Sequence, residues 1–200
     1  MKHQKPLTVG IFIFNDIEVL DFCGPLEVFS VASVARGPTP GAFEVKLIAQ
    51  TLDPISTRGA MRVLPNYTLE NHPPLDILLI PGGPGTRRDI EDQRVIEWIA
   101  GSNPTTALAS VCTGALLLAE AGRLDGLPAT THAGSHNWLA QYERVTLRPE
   151  ARFVDNGTIL TSAGVSAGID MALHLVERLV GAESAAFTAK VMEYDRQPAN

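Results

Sequence analysis

Continuous apolar runs alternate with helix-like segments along this chain. Buried strands are predicted at 7–14, 75–80 and 105–111, because strands covered on both faces lack polar alternation, and a further strand is predicted at 43–49. Helices are predicted at about 25–34, 89–100, 113–121, 135–141, 166–180 and 183–193. Shorter strands are expected between 53 and 67, at 127–132 and between 145 and 161, with Asn156-Gly157 as a hairpin turn. This alternation predicts one α/β domain over residues 1–200, with a mostly parallel sheet.

A single cysteine, Cys112, stands where the run 105–111 gives way to the helix 113–121. The order strand, cysteine, helix predicts the sharp turn of a nucleophile elbow. Its sulfur is expected at the carboxyl edge of the sheet, where open α/β folds bind ligands. The positive end of the following helix is expected to lower the thiol pKa. The alternative is a buried, inert cysteine, but the context favours a reactive thiol.

Composition narrows the function classes. The chain is 45% hydrophobic and 19% charged, which is typical of a globular domain with an ample core, and its net charge of −6 argues against a nucleic-acid partner. Cys23 and Cys112 are the only cysteines, so neither a disulfide framework nor a metal-ligand cluster is expected, and a reducing cytoplasmic location is the simplest account. The first apolar run lacks a convincing cleavage site, so it is expected to be a strand and not a signal peptide. No apolar run approaches the ~18 residues that a membrane helix needs.

The segment Pro81-Gly-Gly-Pro-Gly85 follows a predicted strand at the same sheet edge as Cys112. Glycine lets a backbone approach a ligand closely, so the N–H of Gly83 and the N–H of Thr113 are candidates for an anion or oxyanion hole. The alternative is a tight turn without a binding role. A phosphate loop is disfavoured, because no Gly-Lys-Ser/Thr pattern follows.

Asp21 lies in an apolar setting just after the first strand. Its carboxyl could cap the helix that follows, or it could enter the crevice with a raised pKa and exchange a proton with the thiol. Asp16 and Glu18 belong to the preceding turn and are expected to be solvated. His132 and His136 follow the elbow at a distance compatible with the crevice, but neither has an obvious partner, which favours structural roles.

These motifs occur together in a known group of proteins. They are Asp21-x-x-Gly-Pro-x-Glu-Val, Pro-Gly-Gly at 81–83, Ser-Val-Cys-Thr-Gly at 110–114, Ala-Gly-x-Leu-Asp-Gly at 121–126, Ala-Thr-Thr-His at 129–132 and Ser-Ala-Gly-Ile-Asp at 166–170. The chain resembles the ThiJ/PfpI superfamily, which is glutamine amidotransferase-like, and within it the isonitrile hydratase branch and the amidase-like domains of AraC-type regulators. The resemblance implies a flavodoxin-like three-layer sandwich and a homodimer.

The resemblance also implies a site. Asp21 would lie beside the nucleophile Cys112, with Gly83 and Thr113 around the sulfur. Related proteases and glyoxalases often carry His directly after the cysteine, where this chain has Thr113, and amidotransferases use a late His-x-Glu that is absent here. The expected activity is therefore hydration of an isonitrile, a small-molecule substrate, to an N-substituted formamide without a metal or organic cofactor. The alternatives are a non-catalytic small-molecule or redox sensor, or another amidase or hydrolase activity.

Overall fold

The protein is built around parallel strands. A computed structural model describes residues 5–34 and 36–197. The strands in these residues are β1 (Leu7–Phe12), β2 (Phe43–Ala49), β3 (Ile55–Ser56), β4 (Arg62–Val63), β5 (Tyr67–Thr68), β6 (Ile77–Ile80), β7 (Ala107–Val111), β8 (Pro128–Ala129), β9 (Thr146–Leu147), β10 (Phe153–Asp155) and β11 (Ile159–Ser162). Seven of them form the central sheet in the order β10-β11-β7-β6-β1-β2-β5. Within it only β10 and β11 pair antiparallel, joined by the predicted hairpin turn. The mostly parallel sheet is confirmed.

Helices cover the sheet. They are α1 (Val19–Ala32), α2 (Thr86–Asp89), α3 (Gln93–Gly101), α4 (Gly114–Glu120), α5 (His136–Leu139), α6 (Ala167–Val180) and α7 (Ala182–Val191), with a 3₁₀ turn at Ala133–Ser135. Helices α1, α6 and α7 pack on one another, whereas α2, α3 and α5 each pack on α4. The two groups form the outer layers of a flavodoxin-like sandwich. No helix in the described part of the chain has the length and apolarity needed to span a bilayer.

The middle of the sheet explains the unbroken apolar runs. Every residue of β6 and of β7 is buried, because both strands have sheet neighbours on each side and helices over each face. The carboxyl ends of β1, β6 and β7 therefore meet at one edge of a rigid core. That edge carries the loops that follow Phe12, Ile80 and Val111.

Helix α1 begins earlier than its sequence pattern predicts. It starts at Val19, so Pro25 lies inside the helix instead of in its first turn. Proline has no N–H to donate to the carbonyl four residues earlier, which here belongs to Asp21. The burial of Phe22, Val28 and Phe29 against the core outweighs this loss. Asp21 is thereby placed in the first helical turn and not in the loop before it.

The helix predicted at 89–100 begins later than expected, at Gln93, because Asp89 is instead the last residue of the short helix α2. Asp92 separates α2 from α3, and its carboxylate accepts a 3.0 Å hydrogen bond from the N–H of Arg94. This is an N-cap interaction, which favours a new helix start over continuation of the old helix.

Candidate active site

Cys112 lies at a sharp turn between β7 and α4, as its sequence context predicts. Its φ of 57° is in the left-handed region that few residues other than glycine adopt. The N–H of Cys112 donates to the carbonyl of Ser162 at 3.1 Å, and the hydroxyl of Thr131 donates to the carbonyl of Cys112 at 2.7 Å. Neighbouring elements thus hold the strained residue from both sides. Cys112 retains an exposed fraction of 6%.

Asp21 contacts the Cys112 thiol and makes no capping hydrogen bond to helix α1. Its side chain is completely buried, and its Oδ2 accepts a 3.1 Å hydrogen bond from the N–H of Gly82. The carboxyl also interacts with the Cys112 thiol and with the N–H of Val165. Within the described residues, Oδ1 makes no hydrogen bond of standard geometry, so the carboxyl can still accept a proton.

Burial and the closeness of Asp21 to Cys112 set the pKa values of the two side chains. Burial raises the pKa of Asp21 to about 7, although the thiol and the N–H of Gly82 offset part of that effect. Burial also raises the pKa of the Cys112 thiol above its usual range, and the charge of Asp21 raises it further. The N–H of Thr113 lowers it by less. The expectation that α4 gives this thiol a low pKa is therefore wrong, and above pH 7 the proton rests on sulfur beside a carboxylate.

The glycine loop contributes differently from the sequence expectation. The N–H of Gly83 donates to Oγ1 of Thr113 at 2.9 Å, while the hydroxyl of Thr86 donates to the carbonyl of Gly83 at 2.7 Å. The N–H of Gly83 is therefore occupied and does not form a pair of free donors with the N–H of Thr113. Gly82, which the sequence interpretation overlooked beside Gly83, supplies the contact to Asp21 instead.

Positions 82 and 114 require glycine because backbone atoms of other elements lie where a side chain would begin. A Cβ on Gly82 would lie 2.5 Å from the backbone N of Thr113 and 3.0 Å from Oδ2 of Asp21. A Cβ on Gly114 would lie 2.0 Å from the carbonyl oxygen of Ile80, so helix α4 can start only where it does because this residue is glycine. Both glycines stand in motifs that the sequence analysis singled out.

Val165 is a further residue that the sequence did not reveal. It has a φ of 51°, an outlier for a β-branched side chain, and its N–H faces Asp21. No local sequence signal predicts such a conformation, because valine normally avoids it.

The remaining candidates lie outside the Asp21–Cys112 pair. His132 is exposed, and its Nδ1 accepts a 3.0 Å hydrogen bond from the N–H of Gly134. His136 begins α5, and the side chain of Asp16 is 60% exposed, as expected. Glu18 is bound to Arg58 at 2.6 Å.

Within residues 5–34 and 36–197, neither Cys23 nor the other potential metal ligands form a second reactive or metal-binding cluster. The thiol of Cys23 is free and half-buried on α1. In the part of the chain that the structure describes, no three or more His, Cys, Asp or Glu side chains lie together as a metal site would require.

The sequence of this chain matches a known family. Residues 7–178 match the model of the DJ-1/PfpI family, and the chain belongs to that family. Among curated relatives, it is 33% identical to the isonitrile hydratase of Pseudomonas putida over 193 residues, which are 96% of this chain and 80% of that protein. It is 24% identical to the HTH-type transcriptional regulator GbdR of Pseudomonas aeruginosa over 98% of this chain, but it spans only 53% of that regulator.

Solved structures agree on the fold. A ThiJ/PfpI family protein from Pseudomonas syringae superposes with a TM-score of 0.86 at 28% identity, covering 98% of this chain and 78% of that one. DJ-1beta of Drosophila melanogaster superposes with a TM-score of 0.81 at 18% identity, covering 95% of this chain and 99% of that one. The flavodoxin-like architecture is thus confirmed. One of these structures is also related in sequence, at 28% identity, whereas the other, at 18%, supports the fold alone.

Proposed function

We propose that this protein hydrates a small isonitrile to the corresponding N-substituted formamide, with Cys112 as nucleophile and Asp21 as the group that moves the proton. The observation that carries the proposal is the buried Asp21 carboxyl against the Cys112 thiol, with a pKa raised by burial to about 7. The 33% identity to an isonitrile hydratase over 96% of the chain supports the choice of substrate. Neither step below needs a metal or an organic cofactor.

In the first step, Asp21 in its ionised form takes the thiol proton as sulfur attacks the terminal carbon of the isonitrile. A C–S bond forms as one C–N π pair moves onto nitrogen, and the lone pair that the terminal carbon already carried remains on that carbon. The protonated Asp21 then donates its proton to the carbon, giving a thioimidate, R–N=CH–S–Cys112. A carboxyl with a pKa near 7 suits both halves of this exchange, because it accepts and releases a proton at little cost.

In the second step, water adds to the thioimidate carbon. Asp21 takes a proton from the attacking water and passes it to the nitrogen, giving the adduct R–NH–CH(OH)–S–Cys112. The C–S bond then breaks as the C–O bond becomes a carbonyl, and Asp21 carries the hydroxyl proton to the departing sulfur. The products are R–NH–CHO and the regenerated Cys112, so one water is consumed. The N–H of Thr113 is positioned to stabilise the departing thiolate, since it already lowers the pKa of the sulfur.

Turnover of an aryl isonitrile, followed as formamide by chromatography, tests the proposal. We expect turnover by the native protein, loss with Cys112→Ala, and retention with Cys23→Ser as the matched cysteine control. Absence of formamide from a folded native protein across aryl and alkyl isonitriles rejects the proposed activity.

A non-catalytic ligand sensor is the second candidate, because the chain is similar to GbdR over 98% of its own length. In this case Cys112 and Asp21 would shape a binding pocket or respond to oxidation without turnover. Intact mass after mild peroxide treatment distinguishes a redox role: oxidation confined to Cys112, with no formamide produced, favours the sensor.

We also propose a homodimer in a reducing, cytoplasmic environment. Both Cys23 and Cys112 are free thiols, and Leu20, Leu52 and Leu64 are exposed apolar side chains that a partner could cover. Light scattering during gel filtration tests the dimer: a particle of twice the 21.5 kDa chain mass is expected, and a 21.5 kDa particle at micromolar concentration contradicts it.

A further inference from the structure

The turn between β11 and α6, residues 163–166, contacts both members of the candidate active site. The N–H of Cys112 donates to the carbonyl of Ala163 at 3.3 Å, in addition to its bond to the end of β11. Further along the turn, the N–H of Val165 faces Asp21. This turn therefore connects the backbone of the nucleophile with the carboxyl that would take its proton.

Val165 is the strained residue of the turn. Its φ of 51° lies in the left-handed region, which a β-branched residue rarely adopts. Such a conformation persists only where the surrounding structure over-determines it. The contacts that fix the residues on either side of Val165 therefore decide where its N–H lies.

Arg152, the residue directly before β10, holds this turn at both ends. Its carbonyl accepts a 2.9 Å hydrogen bond from the N–H of Ala163, and its Nη2 donates to Oγ of Ser166 at 3.2 Å. Ala163 lies two residues before Val165, and Ser166 directly follows it. One side chain and its own backbone thus restrain the chain before and after the strained position.

The guanidinium of Arg152 is itself fixed by a buried acid. Its Nε and Nη2 both lie 2.5 Å from Oδ2 of Asp170, a completely buried carboxylate on α6. The hydroxyl of Tyr194 donates to the same oxygen at 2.9 Å, and the N–H of Gln197 donates to Oδ1 at 2.8 Å. A charge-assisted network with this many partners holds the planar guanidinium in one orientation, so the group that bonds Ser166 has little freedom.

We propose that Arg152 is a positioning residue of the candidate active site, which keeps the turn 163–166 in the conformation that presents the N–H of Val165 to Asp21. Arg152 acts through the turn and takes no part in the chemistry itself. The proposal rests on the Asp21–Cys112 pair as the reactive centre of the proposed function, but it does not depend on which substrate that pair converts.

The role has a consequence that can be measured at Asp21. An N–H that faces a carboxylate favours its charged form, and the N–H of Val165 accordingly lowers the pKa of Asp21 against the larger effect of burial. Relaxation of the turn should therefore raise that pKa. The other titratable groups that act on Asp21 are Cys112 and Glu18, and the variants below leave both in place.

The pKa of Asp21, followed by the carboxyl ¹³C chemical shift of labelled protein against pH, tests the proposal without a substrate. Ser166→Ala removes only the hydroxyl that Arg152 holds, and we expect the titration midpoint to rise by about 0.5 pH unit. Ser166→Thr keeps a hydroxyl and should return the midpoint to the native value. Arg152→Lys keeps the positive charge beside Asp170 but loses the planar fork, and should raise the midpoint at least as far as Ser166→Ala.

Arg144→Lys is the matched control, because Arg144 pairs with Asp125 at 2.9 Å and its side chain is 76% exposed. Its midpoint should stay within about 0.2 pH unit of the native value, since surface ion pairs have little influence. An equal rise in Arg144→Lys overturns the proposal. A rise in Ser166→Thr as large as in Ser166→Ala overturns it too.

A merely structural role for Arg152 gives a different result. In that case Arg152→Lys and Ser166→Ala lower the thermal stability but leave the Asp21 midpoint at its native value, which overturns the proposal. If Arg152→Lys does not fold, Ser166→Ala and Ser166→Thr decide the outcome by themselves. Absence of isonitrile turnover would reject the proposed activity, but the comparison of Asp21 midpoints would stand, so the two failures are distinguishable.

Discussion

The N–H of Gly82 donates a 3.1 Å hydrogen bond to the buried carboxyl of Asp21 and so ties the loop after β6 to the first turn of α1. This contact fixes the carboxyl against the Cys112 thiol at the centre of the sheet edge. Neither the dipole of helix α4 nor the hydroxyl of Thr113 dominates the pKa of that thiol. The controlling factor is one buried acid, Asp21, whose pKa burial raises to about 7.

Asp21→Asn should stabilise the protein at pH 8 but not at pH 4. The folded-state pKa of about 7 lies above the ordinary aspartate value of 3.8, so the native state binds the extra proton between these values and loses stability as the pH rises through them. Asparagine removes that cost while its carbonyl can still accept from Gly82. A gain on the order of 2–4 kcal/mol at pH 8 is expected from urea unfolding. An equal gain at pH 4 and pH 8 contradicts the assignment.

The pH dependence of turnover should show an acidic limb with a midpoint near 7. Asp21 must be ionised to accept the thiol proton, and burial raises its pKa to about 7. The ratio kcat/KM for an isonitrile should therefore fall about tenfold per pH unit well below that value. Cys23→Ser should give the same profile. A limb near pH 4 would mean that Asp21 titrates as an exposed acid.

Cys112 should titrate above the usual range of a cysteine thiol. Burial and the charge of Asp21 both raise its pKa, and the N–H of Thr113 does not compensate. Thiolate absorbance at 240 nm in a Cys23→Ser background should appear only above about pH 9, and Asp21→Asn should shift it to lower pH. A thiolate already present at pH 7 contradicts the described electrostatics.

Gly82→Ala should disrupt the elbow. The added methyl group would lie 2.5 Å from the backbone N of Thr113, which has no room to move. A loss of about 1–3 kcal/mol is expected together with loss of turnover. Gly59→Ala is the control, because its Cβ meets no heavy atom within 4 Å; a change within about 0.5 kcal/mol is expected. Similar losses in both variants exclude a specific effect at the elbow.

Thr131→Val and Thr130→Val should differ although the residues are adjacent and equally buried. The hydroxyl of Thr131 donates to the carbonyl of Cys112 at 2.7 Å, whereas the hydroxyl of Thr130 has no partner in the described residues. We expect a loss of about 1–2 kcal/mol for Thr131→Val and no loss for Thr130→Val. Chemical denaturation of both variants provides the measurement. A larger loss for Thr130→Val would contradict this hydrogen-bond pattern.

The amino-acid sequence by itself determined the architecture and the location of the site. The apolar runs of β1, β6 and β7 are long enough to predict buried parallel strands. The order strand, Cys112, helix is equally local, so the elbow could be predicted. The glycine loop at 81–85 also follows from local pattern, because glycine marks close backbone approach.

Only the tertiary structure decided the chemistry. It moved the start of α1 to Val19, assigned the contact with Asp21 to Gly82 instead of Gly83, and raised the thiol pKa where local reasoning expected it to fall. It also left one carboxylate oxygen of Asp89 without a hydrogen-bond partner within the described residues. Each of these depends on burial and on groups far apart in the chain, and desolvation has no signature in a local sequence pattern because it is set by everything packed around the group.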